Sequence, residues 1–148
     1  VVIEGGSYGG YVALSAAALY SEKIRAAISD SGPSNLVTFI EGTAGWRRDI
    51  QRQEYGDERD PRVRRFRERS APINNVDKIK KPLLIIQGEN DVRVPVAESQ
   101  RMVAALRKSG VQVWLLLAKD EGHEWKKQSN WDFRLYATAL FVQKYLSK

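Results

Sequence analysis

Ten residues decide the fold of this chain: Val1-Val2-Ile3-Glu4-Gly5-Gly6-Ser7-Tyr8-Gly9-Gly10. The first four are mainly apolar and β-branched, which indicates the end of a buried strand. The glycines that follow indicate a tight turn, and the Ala- and Leu-rich segment from Tyr11 to Tyr20 indicates a buried helix. The stretch therefore predicts a serine on a turn between a strand and a helix.

The turn matches the pattern G-x-S-x-G through Gly5, Ser7 and Gly9. A serine hydroxyl is a weak nucleophile until a base takes its proton, and a strained strand-to-helix turn exposes that hydroxyl. Glycines are expected on either side because a side chain there would collide with the neighbouring strand or helix. We predict that Ser7 is a nucleophile and that the backbone N–H of Tyr8 is one oxyanion donor; the alternative is a plain glycine turn.

Strands and helices alternate along the rest of the chain. Further strands are predicted at Ala26–Ser29, Leu83–Gln87 and Val111–Leu117. Two or three short helices are predicted between Leu36 and Arg69, one helix from Pro95 to Gly110, and one from Trp131 to Lys148. The alternation predicts a single α/β domain over residues 1–148, with a mostly parallel sheet flanked by helices.

Two polar residues follow predicted strands and complete a candidate catalytic set with Ser7. Asp91 lies in the loop after the second of the further strands, and His123, the only histidine, lies in the loop after the third. Functional groups gather at the carboxyl edge of parallel sheets, so we expect all three to meet there. Their order, at intervals of 84 and 32 residues, is that of α/β-hydrolases. Glu89 and Asp120 are competing carboxylates.

These residue types suit acyl transfer. Ser7 would attack, His123 would act first as general base and then as general acid, and Asp91 would orient the imidazole. Each residue also has a plainer interpretation. Asp91 fits a turn or a helix cap, and a lone histidine is usually a surface or packing residue.

Composition excludes several classes of site. With no cysteine and one histidine, the chain has no disulfides, thiolate metal sites, cysteine nucleophiles or multi-His zinc site, and we predict no metal and no cofactor. No apolar run approaches the ~20 residues of a membrane span, and no signal peptide is visible. We expect a cytoplasmic protein without membrane contact.

The net charge of +6 raises the question of nucleic-acid binding. Most of the excess lies between Arg47 and Arg69, where nine arginines mix with six acidic residues. Because the signs alternate closely and no aromatic ladder accompanies them, the segment is typical of a solvated helical surface. We therefore predict no nucleic-acid partner, although a phosphate-binding face remains the alternative.

The motifs resemble those of the prolyl oligopeptidase family, in particular its acylaminoacyl-peptidase-like and dipeptidyl-peptidase-like branches. The resemblance covers nearly the whole chain. Its motifs are Gly5-Gly6-Ser7-Tyr8-Gly9-Gly10-Tyr11, Ser70-Ala71-Pro72, Pro82-Leu83-Leu84-Ile85-Ile86-Gln87-Gly88, Asn90-Asp91 with Arg93-Val94-Pro95, and Glu121-Gly122-His123. It implies an α/β-hydrolase fold and hydrolysis of short peptides or acyl-aminoacyl substrates.

The resemblance also implies an apolar pocket for the P1 side chain. Arg93 matches an arginine that binds a substrate carbonyl in some members, and Val94 matches a pocket residue. Trp46 and Phe39 are further candidates for the pocket wall. The alternatives are a solvent-exposed salt bridge for Arg93, a core position for Val94 and helix packing for the two aromatic residues.

The family pattern further implies that a β-propeller and the first strands of the hydrolase domain precede Val1, so that this chain is N-terminally truncated. The second oxyanion donor would lie in that missing segment. An apolar strand edge would then be exposed, so we expect a homo-oligomer or a complementary chain. We also expect weak activity, mainly on activated esters.

Two alternative functions remain open. The chain could be an esterase of the same fold, because fold does not determine substrate. It could also be a non-catalytic fragment that retains the three residues as inheritance.

Overall fold

The computed structural model describes residues 1–146 as one parallel sheet with helices on both faces. The strands are β1 (Val2–Gly6), β2 (Ala26–Asp30), β3 (Leu83–Gly88) and β4 (Val113–Ala118). They lie side by side in chain order, and every neighbouring pair is parallel. This confirms the predicted α/β architecture, with β4 beginning two residues later than expected.

The helices form three groups. The long helices are α1 (Tyr8–Leu19), α5 (Val96–Lys108) and α6 (Gln128–Leu146). Three shorter helices connect β2 with β3, namely α2 (Leu36–Gly42), α3 (Gly45–Tyr55) and α4 (Pro61–Ser70). A single turn of 3-10 helix covers Ser21–Lys23, and two short 3-10 turns joined by a kink at Asn75 cover Pro72–Lys78. The last two residues of the helix predicted from Trp131 to Lys148 lie outside the described residues.

Two helices begin earlier than predicted. Helix α1 begins directly after Ser7, not at Tyr11, because the glycines of the turn also accommodate the first helical turn. Helix α6 begins at Gln128, three residues before Trp131. Strand β1 ends two residues later than predicted, at Gly6, and the other three strands each end one residue later. The candidate residues still follow the carboxyl ends of their strands.

The core lies on both faces of β3. Leu83 and Ile85 pack with α1 and α5, while Leu84 and Ile86 pack with α6. All six residues of this strand are buried, which explains its continuous apolar run. Each fully buried aliphatic side chain contributes about 1.5–3 kcal/mol, so the central strand anchors the loop that follows it.

The topology brings three loops to one edge of the sheet. In a parallel sheet all strands end at the same edge, so the loops after β1, β3 and β4 lie close together. Helices α2 and α3 lie beside this edge. Within residues 1–146, no helix has the length and apolar character needed to cross a bilayer.

Candidate active site

Ser7 occupies a strained turn at the carboxyl end of β1. Its backbone angles are φ 55° and ψ −119°, and φ in this range is costly for a residue with a side chain. Such strain typically costs about 1–3 kcal/mol and persists only where surrounding contacts enforce it. One of those contacts is the Ser7 backbone N–H, which donates to the Asp30 carbonyl at 2.8 Å. The serine itself is exposed.

Close packing explains two glycines of the turn but not a third. A Cβ on Gly5 would lie 2.2 Å from the carbonyl oxygen of Gly9, and a Cβ on Gly10 would lie 2.7 Å from Gly32 Cα. A Cβ on Gly9 would meet nothing within 4 Å. The expectation that glycine is required on either side of Ser7 is therefore wrong for Gly9, because that side of the helix faces open space.

Asp91 is held by four hydrogen bonds. Its side chain is completely buried, and Oδ1 accepts the backbone N–H groups of Arg93 at 2.8 Å and Val94 at 2.9 Å. Its Oδ2 lies 2.7 Å from His123 Nδ1 and accepts from Gln87 Nε2 at 3.1 Å. Asp91 is thus the carboxylate that reaches the imidazole.

The competing carboxylates have other environments. Asp120 pairs with Lys127, which lowers the pKa of the aspartate below its ordinary value. Glu89 is exposed at the surface. Asp91, unlike these two carboxylates, is buried beside His123, so it is the residue that can orient the imidazole.

Gln87 is a site residue that the sequence argument missed. It is fully buried, and its Nε2 also donates to the carbonyls of Gly88 at 3.1 Å and Val94 at 3.2 Å. Its Oε1 accepts the hydroxyl of Ser99 at 2.8 Å. The signal was available, because Gln87 is a polar residue at the end of an otherwise apolar buried strand, where a polar group needs partners.

The loop after β4, which carries His123, is in backbone contact with the loop after β3, which carries Asp91. A Cβ on Gly88 would lie 2.2 Å from the Gly122 carbonyl oxygen, and Asn90 donates its backbone N–H to the Glu121 carbonyl at 2.9 Å. The close approach leaves room for glycine only. This contact brings His123 within reach of Asp91.

A buried glutamate organises the same loop. The Glu121 carboxylate accepts the Asn130 amide at 2.7 Å and the backbone N–H groups of Lys126 at 2.8 Å and Lys127 at 2.9 Å. These hydrogen bonds, the one from Asn130 first, hold the pKa of Glu121 below its ordinary value. Because the pKa of Glu121 is lower in the folded protein than in the unfolded chain, its carboxylate stabilises the fold at pH values above the unfolded-state pKa. This stabilisation is lost as the pH falls through the folded-state pKa.

Ser7 and His123 line the same cavity of about 100 Å³. Of the predicted substrate-binding residues, the structure brings Phe39, Arg93 and Val94 to this cavity. Trp46 is not among its lining residues; its side chain is 71% exposed, with the Arg47 guanidinium 5.1 Å from the ring centroid. The structure thus gives the substrate-binding prediction for Trp46 no support.

The cavity is less apolar than the family pattern implied. Besides aromatic and aliphatic residues, three polar side chains of α3 line it: Arg47, Gln51 and Glu54. Tyr55, on the same helix, is partly desolvated and lies near Glu54, and both effects raise the pKa of its phenol, burial most. The mixed charges of this segment predicted a solvated surface, and its contribution to the cavity was therefore not expected.

Tyr8 and Arg93 both line the cavity. Tyr8 is the first residue of α1, so its backbone N–H has no acceptor within the helix and is free to donate to an anion. Its ring stacks on Tyr55, with centroids 5.1 Å apart. Arg93 pairs with Glu124 at 3.1 Å, and both side chains remain substantially exposed. Residues 1–146 hold no group of three or more His, Cys, Asp or Glu side chains arranged for a metal ion.

A parallel sheet with helices on both faces, a serine on a strained turn after one strand, and an aspartate–histidine pair after two others define the α/β-hydrolase class. Comparison with known proteins gives the family. The profile of the prolyl oligopeptidase family matches residues 1–148. The chain therefore belongs to this family of serine-type peptidases.

Individual relatives agree with this assignment. Dipeptidyl peptidase family member 6 of Caenorhabditis elegans is 37% identical over 134 residues, which cover 88% of this chain and 18% of that protein. Dipeptidyl aminopeptidase BIII of Pseudoxanthomonas mexicana is 35% identical over 133 residues, which cover 88% of this chain and 19% of that protein. The chain thus spans less than a fifth of the length of these curated relatives.

A solved structure supports the fold. A Mycobacterium tuberculosis puromycin-hydrolyzing peptidase superposes with a TM-score of 0.88 at 29% identity, covering 98% of this chain and 22% of that one. The predicted family and fold are both confirmed.

Proposed function

We propose that this chain is the catalytic part of a serine peptidase that cleaves short peptides or acyl-aminoacyl substrates through an acyl-enzyme. One observation carries the proposal: His123 Nδ1 lies 2.7 Å from a buried Asp91 oxygen, and the imidazole lines the same cavity as Ser7. The relatives named as dipeptidyl peptidases support peptides as the substrate class.

The proposed mechanism assigns one role to each of these groups. Ser7 Oγ attacks the scissile carbonyl carbon while His123 Nε2 takes the hydroxyl proton. The carbonyl oxygen gains negative charge, which the Tyr8 N–H stabilises. When the tetrahedral intermediate collapses, His123 gives its proton to the leaving amine, and the acyl group stays on Ser7 as an ester.

Water completes the cycle. His123 takes a proton from the attacking water, a second tetrahedral intermediate forms, and its collapse returns that proton to Ser7 Oγ and releases the carboxylic acid. Throughout, Asp91 accepts the Nδ1–H of His123 and holds the imidazole in the tautomer that leaves Nε2 free to accept a proton. The four hydrogen bonds to Asp91 fix the orientation of its carboxylate.

The proposal is tested by replacing Ser7. In the complete protein, we expect Ser7→Ala to lose labelling by a fluorophosphonate probe and to lower kcat/KM for an acyl-aminoacyl anilide by at least about 10³-fold. Ser109→Ala, at an exposed serine, should retain both the labelling and the wild-type kcat/KM. Unchanged turnover in Ser7→Ala contradicts the assignment. Hydrolysis of a simple acyl ester without hydrolysis of the anilide would favour an esterase instead.

We also propose a partner at the edge of the sheet. Within residues 1–146, β1 pairs only with β2, so its other side presents backbone N–H and C=O groups to solvent. A second copy or a complementary chain that adds a strand there would satisfy them. The 148-residue chain should then sediment at micromolar concentration as a species heavier than its 16.8 kDa monomer. A monodisperse monomer contradicts this proposal.

A further inference from the structure

Two side chains on α3 each bring to the cavity a polar atom that has no partner within the described part of the chain. Arg47 and Gln51 are four residues apart, so they share one face of the helix, and both line the cavity with Ser7 and His123. Gln51 is only 4% exposed. Among residues 1–146, neither its Oε1 nor the Nε of Arg47 has a hydrogen-bond partner, although both atoms are buried.

The unpaired atoms define the chemistry of a matching group. Buried polar atoms are almost always hydrogen-bonded, so an unpaired acceptor beside an unpaired donor indicates a ligand or water that serves both. Gln51 Oε1 accepts a hydrogen bond, and Arg47 Nε donates one. A hydroxyl oxygen can accept from Arg47 while its hydrogen is donated to Gln51.

Charged groups fit this position less well. An ammonium would face the Arg47 guanidinium, which is always positively charged. A carboxylate would face the Gln51 carbonyl oxygen and Glu54, which also lines the cavity, while the second cation of the wall, Arg93, is already paired with Glu124. A neutral group that both donates and accepts is therefore favoured.

The remaining walls indicate what carries the hydroxyl. Tyr8, Phe39 and Tyr55 border the cavity, with the rings of Tyr8 and Tyr55 stacked and the rings of Phe39 and Tyr55 meeting edge to face at 6.1 Å. Leu36 and Val94 add aliphatic surface. A flat aromatic side chain suits such walls, because ring pairs of these geometries attract beyond their buried area.

We propose that Gln51 and Arg47 are specificity determinants that select tyrosine over phenylalanine at P1, the substrate residue whose carbonyl carbon Ser7 attacks. The phenol ring would lie among the aromatic walls, and its hydroxyl would meet the two unpaired atoms of α3. This inference rests on the proposed function and takes the cavity beside Ser7 and His123 as the subsite for the residue on the acyl side of the cleaved bond. A site built to hydrogen-bond a substrate hydroxyl rejects the analogue that lacks it, whereas a purely apolar pocket discriminates weakly.

Binding tests the inference without catalysis. In the Ser7→Ala variant of the complete protein, calorimetry would compare N-acetyl-tyrosine amide with N-acetyl-phenylalanine amide. We expect the tyrosine ligand to bind at least about tenfold more tightly. Adding Gln51→Leu should reduce the preference to about twofold or less, and Arg47→Met should also reduce it. Gln53→Leu, at an exposed position of the same helix, should preserve it.

Several outcomes overturn the inference. They are equal affinities in Ser7→Ala, no binding of either ligand, and a preference that survives both Gln51→Leu and Arg47→Met. Thermal unfolding of each variant separates selectivity from folding. Gln51→Leu removes an unpaired buried acceptor, so a purely structural role for Gln51 would change stability without changing the ratio of affinities.

Turnover distinguishes this inference from the proposed function. The wild-type protein would be assayed with N-acetyl-tyrosine and N-acetyl-phenylalanine anilides. If neither is hydrolysed but the binding preference holds, the proposed function fails and the specificity inference stands. If both are hydrolysed with equal kcat/KM and bind equally, the inference fails and the proposed function stands.

Discussion

Asp91→Asn is expected to lower kcat/KM by about 10⁴-fold while leaving the fold intact. The asparagine Oδ1 can still accept the two backbone N–H groups that now bind the carboxylate, those of Arg93 and Val94. Its amide nitrogen would then face His123 Nδ1 and Gln87 Nε2. An N–H donor at this place forces the imidazole proton onto Nε2, so the imidazole can no longer take the proton of Ser7.

The measurement is steady-state hydrolysis of an acyl-aminoacyl anilide, with thermal unfolding as the check on folding. Asp77→Asn, at an exposed aspartate of the Pro72–Lys78 segment that does not line the cavity, provides the matched control and should retain full activity. A rate for Asp91→Asn within a few-fold of wild type would show that the aspartate does not orient the histidine. A comparable loss in Asp77→Asn would show that the effect is not specific to the site.

Much of the fold could be predicted because its signals are local. The apolar run at Leu83–Ile86 indicates a strand covered on both faces, and the structure places α1 and α5 on one face and α6 on the other. The glycine-rich turn at residues 5–10 marks the change from strand to helix. Three polar residues after strands could be assigned to one edge because parallel strands end together.

The polar contacts of Glu98 could not be predicted, because its partners are distant in sequence. Glu98, which is 1% exposed, accepts the Ser34 hydroxyl at 2.7 Å and the Ser34 backbone N–H at 2.9 Å, across 64 residues. Glutamate in a helix pattern ordinarily indicates a solvated face. Only the tertiary arrangement shows that this one organises the loop before α2.

The mixed-charge segment shows the same limit within one region. The prediction of a solvated surface agrees with the solvent-exposed pairs Arg59–Asp57 at 2.7 Å and Arg62–Asp60 at 3.1 Å, although the first of them lies in the turn between α3 and α4 and not on a helix. Yet Glu58 in the same segment is buried against Arg52 at 2.6 Å. A run of alternating charges predicts that most of its side chains are exposed, but it does not reveal which single side chain is buried by the folding of the rest of the chain.

The glycines of the nucleophile turn give the second large prediction. Gly5→Ala is expected to destabilise the protein by about 3 kcal/mol or more and to abolish labelling of Ser7 by a fluorophosphonate probe. The new Cβ would lie 2.2 Å from the Gly9 carbonyl oxygen and 2.4 Å from the Gly9 carbonyl carbon. Both are backbone atoms at the start of α1, so the helix itself must shift, and the strained conformation of Ser7 shifts with it.

Gly9→Ala is the matched control and should behave in the opposite way. A Cβ at Gly9 meets nothing within 4 Å, and the residue lies within helix α1, where alanine is favoured over glycine by about 1 kcal/mol. We expect unchanged or slightly increased stability in denaturant unfolding, with probe labelling of Ser7 retained. Equal damage from both substitutions would mean that the turn requires glycine for backbone freedom. Damage from Gly5→Ala alone would mean that the carbonyl of Gly9 sets the limit.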